Sequence, residues 1–266
     1  MAATEPKSSS PNPSHRKMRL DRLLLERGLL ESRSKAQALI MAGRVLVAGQ
    51  KVEKAGALVG LDSPLEILGE ERRYAGRGGN KLEAALAAWD VNVAGAVCLD
   101  IGSSTGGFVD CLLQGGATRV HAVDVGTGQM DWRLRQDPRV KLHERTNARY
   151  LPWELIGETV DLVTVDVSFI SATRILPALI QFCRPGTRLL ALVKPQFEAG
   201  KGKVGKGGIV RDEALRQEAV EKVRRCAAEL GFGDFRVLPC PVLGAEGNQE
   251  FFLSGFFHPP ADLPEQ

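Results

Sequence analysis

The segment Val97-Cys-Leu-Asp-Ile-Gly-Ser-Ser-Thr-Gly-Gly-Phe108 constrains the fold of this chain more than any other. Val97 to Ile101 is an apolar, partly β-branched run that ends at glycine, the pattern of a buried parallel strand. Gly102, Gly106 and Gly107 punctuate the turn, and Val109, Leu112 and Leu113 continue as the apolar side of a helix. Glycines there let the backbone take φ > 0 and approach a ligand closely. The helix start offers N–H groups that have no partner of their own. The next strand, Arg119 to Asp124, ends in a carboxylate placed to hold ribose hydroxyls. The stretch 97–124 therefore predicts half of a nucleotide-type cofactor site.

The loop spacing narrows the ligand. Gly-x-x-x-Gly-Gly is not the Gly-x-Gly-x-x-Gly of dinucleotide sites, and no Lys-Ser/Thr follows it as in a P-loop. An adenosyl ligand without phosphates needs fewer helix-end donors, which favours S-adenosylmethionine as cofactor.

From Val97 onward strands and helices alternate. The pattern predicts strands at 97–101, 119–124, 140–144, 160–165 and 188–193, and helices at 107–114, 172–183 and 213–230. Such alternation implies an α/β, Rossmann-like, doubly wound parallel sheet. Two more strands, 235–238 and 250–256, follow with only loop between them, so one must run antiparallel. That ending marks a class I methyltransferase sheet and not a dehydrogenase.

In an open parallel sheet, ligands sit beyond the carboxyl ends of the strands. Asp166 and Lys194 end two strands, and Glu250 begins the reversed one, whose start falls at the same edge. Lys81, in the helix entered through Arg77-Gly-Gly-Asn-Lys81, can reach that rim. A lysine near a carboxylate keeps its proton, whereas burial or a second lysine lowers its pKa. A lysine poised between these influences can take a proton from a hydroxyl.

Composition limits the other readings. The five cysteines are odd in number and widely spaced, as in a reducing, cytoplasmic compartment. Neither they nor the four separated histidines have a metal-ligand spacing. No apolar run approaches the roughly 18 residues of a membrane helix, so no membrane partner is expected. Charge is uneven: Arg16 to Lys54 holds ten basic and four acidic residues, a net of +6, against +3 for the whole chain. A basic N-terminal module points to a polyanion partner.

That module reads as a small α+β domain. Leu20, Leu23 and Leu24 share one face of a helix over Met18–Gly28. Ser32 caps a second helix, Arg33 to Met41, closed by Gly43. Val45–Val47 and Lys51–Val52 flank a turn as a hairpin, and Leu65–Leu68 adds a strand. Arg19, Arg22, Arg33, Lys35 and Arg44 can share a surface for phosphate contacts. The expected layout is a tail over 1–16, domains over 17–72 and 73–258, and a tail over 259–266.

The pattern Arg-Leu-Asp-x-x-Leu-x-x-x-Gly…Ser-Arg-Ser-x-Ala…Gly-x-Val-x-Val-x-Gly, spanning Arg19 to Gly49, resembles the S-four RNA-binding domain. Six further motifs extend the likeness. They are Arg77-Gly-Gly-x-Lys81, Asp100-x-Gly-x-Ser-x-Gly-Gly-Phe108, Asp166-Val-Ser-Phe-Ile-Ser171, Val193-Lys-Pro-Gln-Phe-Glu198, Gly207-Gly-x-Val-Arg-Asp212 and Gly247-Asn-x-Glu250. Together they resemble the TlyA (haemolysin A) family, in which an S-four domain precedes an FtsJ-like ribosomal RNA 2′-O-methyltransferase domain. One departure is Tyr74-Ala-Gly before Arg77, where the family pattern has Tyr-Val-Ser.

The resemblance implies methyl transfer to a ribose 2′-hydroxyl, usually of cytidine, in ribosomal RNA or ribosomal subunits. It implies that Lys194 acts on the hydroxyl, with Asp166 and Glu250 orienting it and Lys81 assisting. It implies cofactor contacts from Asp100, Gly102, Ser103, Ser104, Gly106, Gly107, Phe108, Asp124 and Asn147. RNA contacts are expected from Arg77 as well as the N-terminal arginines. Lys201, Lys203 and Lys206, in the glycine-rich loop after Lys194, are expected near phosphates. The competing readings are a non-catalytic RNA-binding assembly factor and a membrane-lytic protein. Oligomeric state has no signature in the sequence.

Overall fold

The structure, a computed structural model, describes residues 17–30, 32–68, 73–200, 204–244 and 247–259. The expected N-terminal tail lies outside the described residues, as does all but the first residue of the C-terminal one. The chain divides between Arg72 and Arg73 into two compact units.

The first unit runs β1 (Lys17–Arg19), α1 (Leu20–Glu26), α2 (Arg33–Met41), β2 (Val45–Val47), β3 (Gln50–Lys51), β4 (Leu58–Gly60) and β5 (Leu65–Ile67). Leu20, Leu23 and Leu24 fall on one side of α1 and bury against Ala36, Ile40, Val45 and Val59. The Ser32 hydroxyl accepts from the Lys35 N–H at 3.3 Å and caps α2, satisfying a donor the helix cannot. β2 pairs with β3 across Ala48-Gly49, both with positive φ as a two-residue hairpin turn requires, and with β5 on its other side. The β1–β4 pair is not foreseen by the sequence pattern. Three-residue strands are too short to display an alternation.

The second unit opens with α3 (Gly78–Ala88), then β6 (Val97–Ile101), α4 (Gly107–Gln114), β7 (Arg119–Val123), α5 (Trp132–Gln136) and β8 (Val140–His143). It continues through α6 (Trp153–Ile156), β9 (Val160–Val165), α7 (Leu176–Leu179), β10 (Cys183–Val193) and α8 (Pro195–Glu198). It closes with α9 (Glu213–Glu229), β11 (Phe232–Pro239) and β12 (Phe251–Phe257). The seven strands pair in the order β11-β12-β10-β9-β6-β7-β8, and β12 is antiparallel to both its neighbours. This is the class I sheet expected from the final hairpin.

Strand residues alternate between two apolar layers, as the pleat dictates. Val163, Val165, Leu189, Ala191 and Val193 bury on the side of α7 and α9. Leu162, Leu190 and Leu192 bury on the side of α3 and α4.

One expected helix is absent in that form. Residues 172–183 fold as a 3₁₀ turn (Ala172–Arg174), α7 and a second 3₁₀ turn (Ile180–Phe182). Pro177 is the cause: it lacks an N–H and its ring would meet the carbonyl four residues back, so the helix restarts around it. β10 also begins five residues before the expected 188, with an irregularity in its pairing between Cys183 and Arg188. Among the described residues no helix is long and apolar enough to cross a membrane.

Candidate active site

The parallel strands β6, β7 and β9 open at their carboxyl ends onto a cleft of about 610 Å³. Gly102, Ser104, Asp124, Asn147, Asp166, Ser168 and Phe169 are among the residues lining it. Its size is within the range of small-molecule sites.

Gly102 has φ +86°, and a Cβ there would lie 2.4 Å from the Asp166 carbonyl oxygen. Only glycine fits, which keeps the β6 turn close to the β9 turn. Asp124 closes the loop from β7. Its Oδ2 accepts from the Ser104 N–H at 2.8 Å and its Oδ1 from the Gly126 N–H at 2.7 Å. The Asn147 Oδ1 accepts from the Arg149 N–H at 3.1 Å, fixing the amide at the cleft wall.

Asp100 and Ser103 lie beneath the loop. Asp100 is fully buried: its Oδ1 accepts from the Thr164 hydroxyl at 2.6 Å, while Oδ2 has no protein partner, and neither has the Ser103 hydroxyl. Burial pushes the Asp100 carboxyl up to about 7; the Thr164 hydrogen bond opposes this, and Asp166 and Asp124 add to it. Orphaned buried polar atoms under a glycine turn fit a cofactor that brings its own donors.

Phe108, Gly106 and Gly107 also serve packing. Phe108 does not border the cleft; its ring is buried and stacks on Phe252 at 6.1 Å. A Cβ at Gly106 would meet Leu134, and one at Gly107 would lie 2.9 Å from the Gly79 nitrogen, so these glycines let α5 and α3 close on the loop. Phe108 lies with Val109, Leu112 and Leu113 on the buried side of α4, which carries it into the core.

Beside the cleft stand two lysine–carboxylate pairs. Lys194 Nζ lies 2.6 Å from Asp166 Oδ1 and also donates to the Ser168 hydroxyl at 2.9 Å. Lys81 Nζ lies 2.6 Å from Glu250 Oε2, with side chains 11% and 3% exposed. Strand register brings the pairs to one edge: Val193 pairs with Phe251, so Lys194 and Glu250 extend adjacent strands. Burial raises the Cys240 thiol, Lys81 opposes this, and Glu250 and Asp166 add to it, so one sulfur feels both pairs. A Cβ at Gly78 would lie 3.2 Å from Phe108 and 3.7 Å from Asp166, which lets α3 carry Lys81 down to the rim.

Sequence reasoning missed Ser168, Phe169 and Glu198. Phe169 is 92% exposed, has φ +64°, and tilts against Phe197 with ring centroids 5.2 Å apart. An exposed aromatic in a left-handed backbone is costly, which makes this loop a candidate functional segment. Glu198, buried, accepts from the Ala172 N–H at 2.7 Å and from Lys222 Nζ at 3.0 Å, and holds the far end of that loop. The motif Asp166-Val-Ser-Phe-Ile-Ser171 is visible in the sequence, but nothing in it distinguishes an exposed Phe169 from a buried one.

In the first unit Arg19, Arg22, Arg33 and Arg44 are exposed and Lys35 is half-buried; in the second unit Arg77 is exposed. Arg22 pairs with Glu26 at 3.1 Å. Lys201 and Lys203 lie outside the described residues, as does the Lys206 side chain.

The sheet order, the glycine turn and the lysine–carboxylate rim define a methyltransferase of the class I type. Residues 74–257 match the family described as FtsJ-like methyltransferase, and residues 18–63 match the S4 domain. The chain is 48% identical to the Mycobacterium tuberculosis 16S/23S rRNA (cytidine-2′-O)-methyltransferase TlyA over 239 residues, 90% of this chain and 89% of that one. It is 41% identical to Hemolysin A of Brachyspira hyodysenteriae over 235 residues, 88% of this chain and 98% of that one. A solved structure from Streptococcus thermophilus that carries the name hemolysin aligns with a TM-score of 0.70 at 42% identity, over 91% of this chain and 88% of that one. The chain belongs to the FtsJ-like methyltransferase family, in the TlyA group that joins this domain to an S4 domain.

Proposed function

We propose that this protein transfers a methyl group from S-adenosylmethionine to a ribose 2′-hydroxyl of ribosomal RNA, with cytidine as the target nucleotide. The observation that carries the reading is the Lys194–Asp166 pair, 2.6 Å apart at the rim of the glycine-turn cleft. The nucleotide and the RNA class rest on the named activity of the M. tuberculosis relative. Residues 17–72 are assigned to RNA binding and 73–258 to catalysis, in the compartment that holds the ribosomes.

Gly102, Ser104, Asp124 and Asn147 would hold the cofactor, with Asp100 and Ser103 beneath it. Bound there, it supplies a methyl group on a sulfonium, which an oxygen nucleophile takes in line. Lys194 donates to the 2′-oxygen and orients it, as it now orients the Ser168 hydroxyl. As the oxygen attacks, Lys194 passes one proton to Asp166 and takes the hydroxyl proton in its place. The ammonium is thus restored, and Asp166 ends as a neutral carboxylic acid. The Lys81–Glu250 pair sets the field around this relay and keeps water out. Phe169 offers a ring on which the target base or its neighbour stacks once unstacked from the RNA.

The test is labelled methyl transfer to purified bacterial ribosomal subunits, with Lys194→Ala as control. Label on a ribose, lost in the variant, is expected. Label on a base, or full activity in Lys194→Ala, refutes the mechanism.

A further inference from the structure

Asp21 sits in the first turn of α1 and is fully buried. The groups around it are not. Arg19 Nε donates to Oδ1 and Arg19 Nη2 to Oδ2, each at 3.0 Å. Arg33 Nε and Gln37 Nε2 each donate to Oδ2 at 3.1 Å. The Arg19 and Arg33 side chains remain 47% and 60% exposed. Space is kept for the fork: a Cβ at Gly56 would lie 3.1 Å from Arg19 Nη1. Three elements, β1, α1 and α2, therefore converge on one carboxylate, and two guanidiniums stand out from it into solvent. The Asp21 bonds leave Arg19 Nη1 and both Nη groups of Arg33 for other acceptors.

A free arginine side chain has much rotamer freedom to lose when it meets a phosphate. Here folding has already removed it. We propose that Asp21 is a positioning residue for RNA, holding Arg19 and Arg33 side by side as a preformed two-point clamp for backbone phosphates. The proposal rests on the assignment of this unit to RNA binding.

The sign of the effect separates positioning from bare charge. Asp21 is an anion next to the clamp. If charge alone mattered, Asp21→Asn would add one positive charge to the face and tighten RNA binding. Positioning requires the opposite, because the guanidiniums lose their common acceptor.

The experiment titrates the full-length chain against purified small and large ribosomal subunits at several salt concentrations. Asp21→Asn is expected to weaken binding about five- to tenfold and to lower the slope of log K against log salt by about one, as a phosphate contact is lost. Arg19→Lys and Arg33→Lys keep the charge but not the fork, and each is expected to weaken binding comparably. Added to Asp21→Asn, Arg19→Lys is expected to change little further, since one device has already been dismantled. Far-UV circular dichroism verifies the fold. Should Asp21→Asn unfold the unit, the two lysine variants decide, and wild-type binding by both overturns the proposal. Binding by folded Asp21→Asn as tight as wild type overturns it too. Salt-independent binding by the wild type would instead refute the RNA-binding assignment itself.

Discussion

Asp100→Asn should make the catalytic unit more stable, and the gain should grow with pH. The Asp100 carboxyl is fully buried, with one oxygen lacking a protein partner, and ionises at about 7 instead of its ordinary 3.8. A carboxyl raised in the folded state binds its proton more tightly there than in the unfolded chain. Its contribution is complete below about pH 4 and is lost as pH rises through 7. At 1.36 kcal/mol per pH unit, the loss is about 1.7 kcal/mol at pH 5 and about 4 kcal/mol at pH 8. Asparagine imitates the protonated form and can still accept from Thr164, so the variant's advantage should rise between these limits and level off above pH 7.

Tryptophan fluorescence during urea unfolding reads this unit alone. All three tryptophans, Trp89, Trp132 and Trp153, lie after Arg73. A stability difference that stays constant from pH 5 to pH 8 would show that Asp100 ionises alike in both states and would refute the argument. Cofactor affinity should fall in the same variant, since the orphaned oxygen that awaits a donor is replaced by an amide. Stability gained where function is lost is the expected mark of a strained site.

Glu250→Gln leaves the Lys81 ammonium buried without its counter-charge and should lower stability by about 3–5 kcal/mol in the same urea assay. Lys81→Met with Glu250→Leu should recover most of that stability but not methyl transfer; recovered activity would remove the pair from the mechanism. Phe169→Ala should leave stability within about 0.5 kcal/mol of wild type, because the ring is 92% exposed, yet reduce methylation of ribosomal subunits. Phe169→Gly should be about 1 kcal/mol more stable than Phe169→Ala, since glycine relieves the left-handed backbone; equal stabilities would show that no strain is stored there.

The parallel core was legible because its strands are buried on both faces and read as continuous apolar runs. Val97–Ile101 and Val160–Val165 take the boundaries that pattern gives. The helix at 172–183 was misread because the apolar spacing survives Pro177 while the hydrogen-bond ladder does not. The candidate rim was legible because Asp166 and Lys194 directly follow apolar strands and Glu250 directly precedes one. The packing roles of Phe108, Gly106 and Gly107 were not, because a glycine that admits a ligand and one that admits a helix are the same letter. Asp21 was hidden for a related reason: in sequence it is one acid among helix-surface charges, and only its burial reveals three donors converging on it.

Partners, not burial, distinguish the two lysines, which sequence presents as equivalents and whose side chains are 11% and 10% exposed. Lys81 and Glu250 are 11% and 3% exposed, so the ammonium is enclosed with its one carboxylate. Asp166 is 21% exposed, and Lys194 has a second acceptor, the exposed Ser168 hydroxyl at 2.9 Å. A hydroxyl on the solvent side of a paired ammonium is the geometry a substrate 2′-hydroxyl would need. Lys194 can therefore exchange one hydroxyl partner for another without becoming an unpaired buried charge, whereas Lys81 cannot. That difference supports the proposal in which Lys194 meets substrate and Lys81 is the fixed charge beside it.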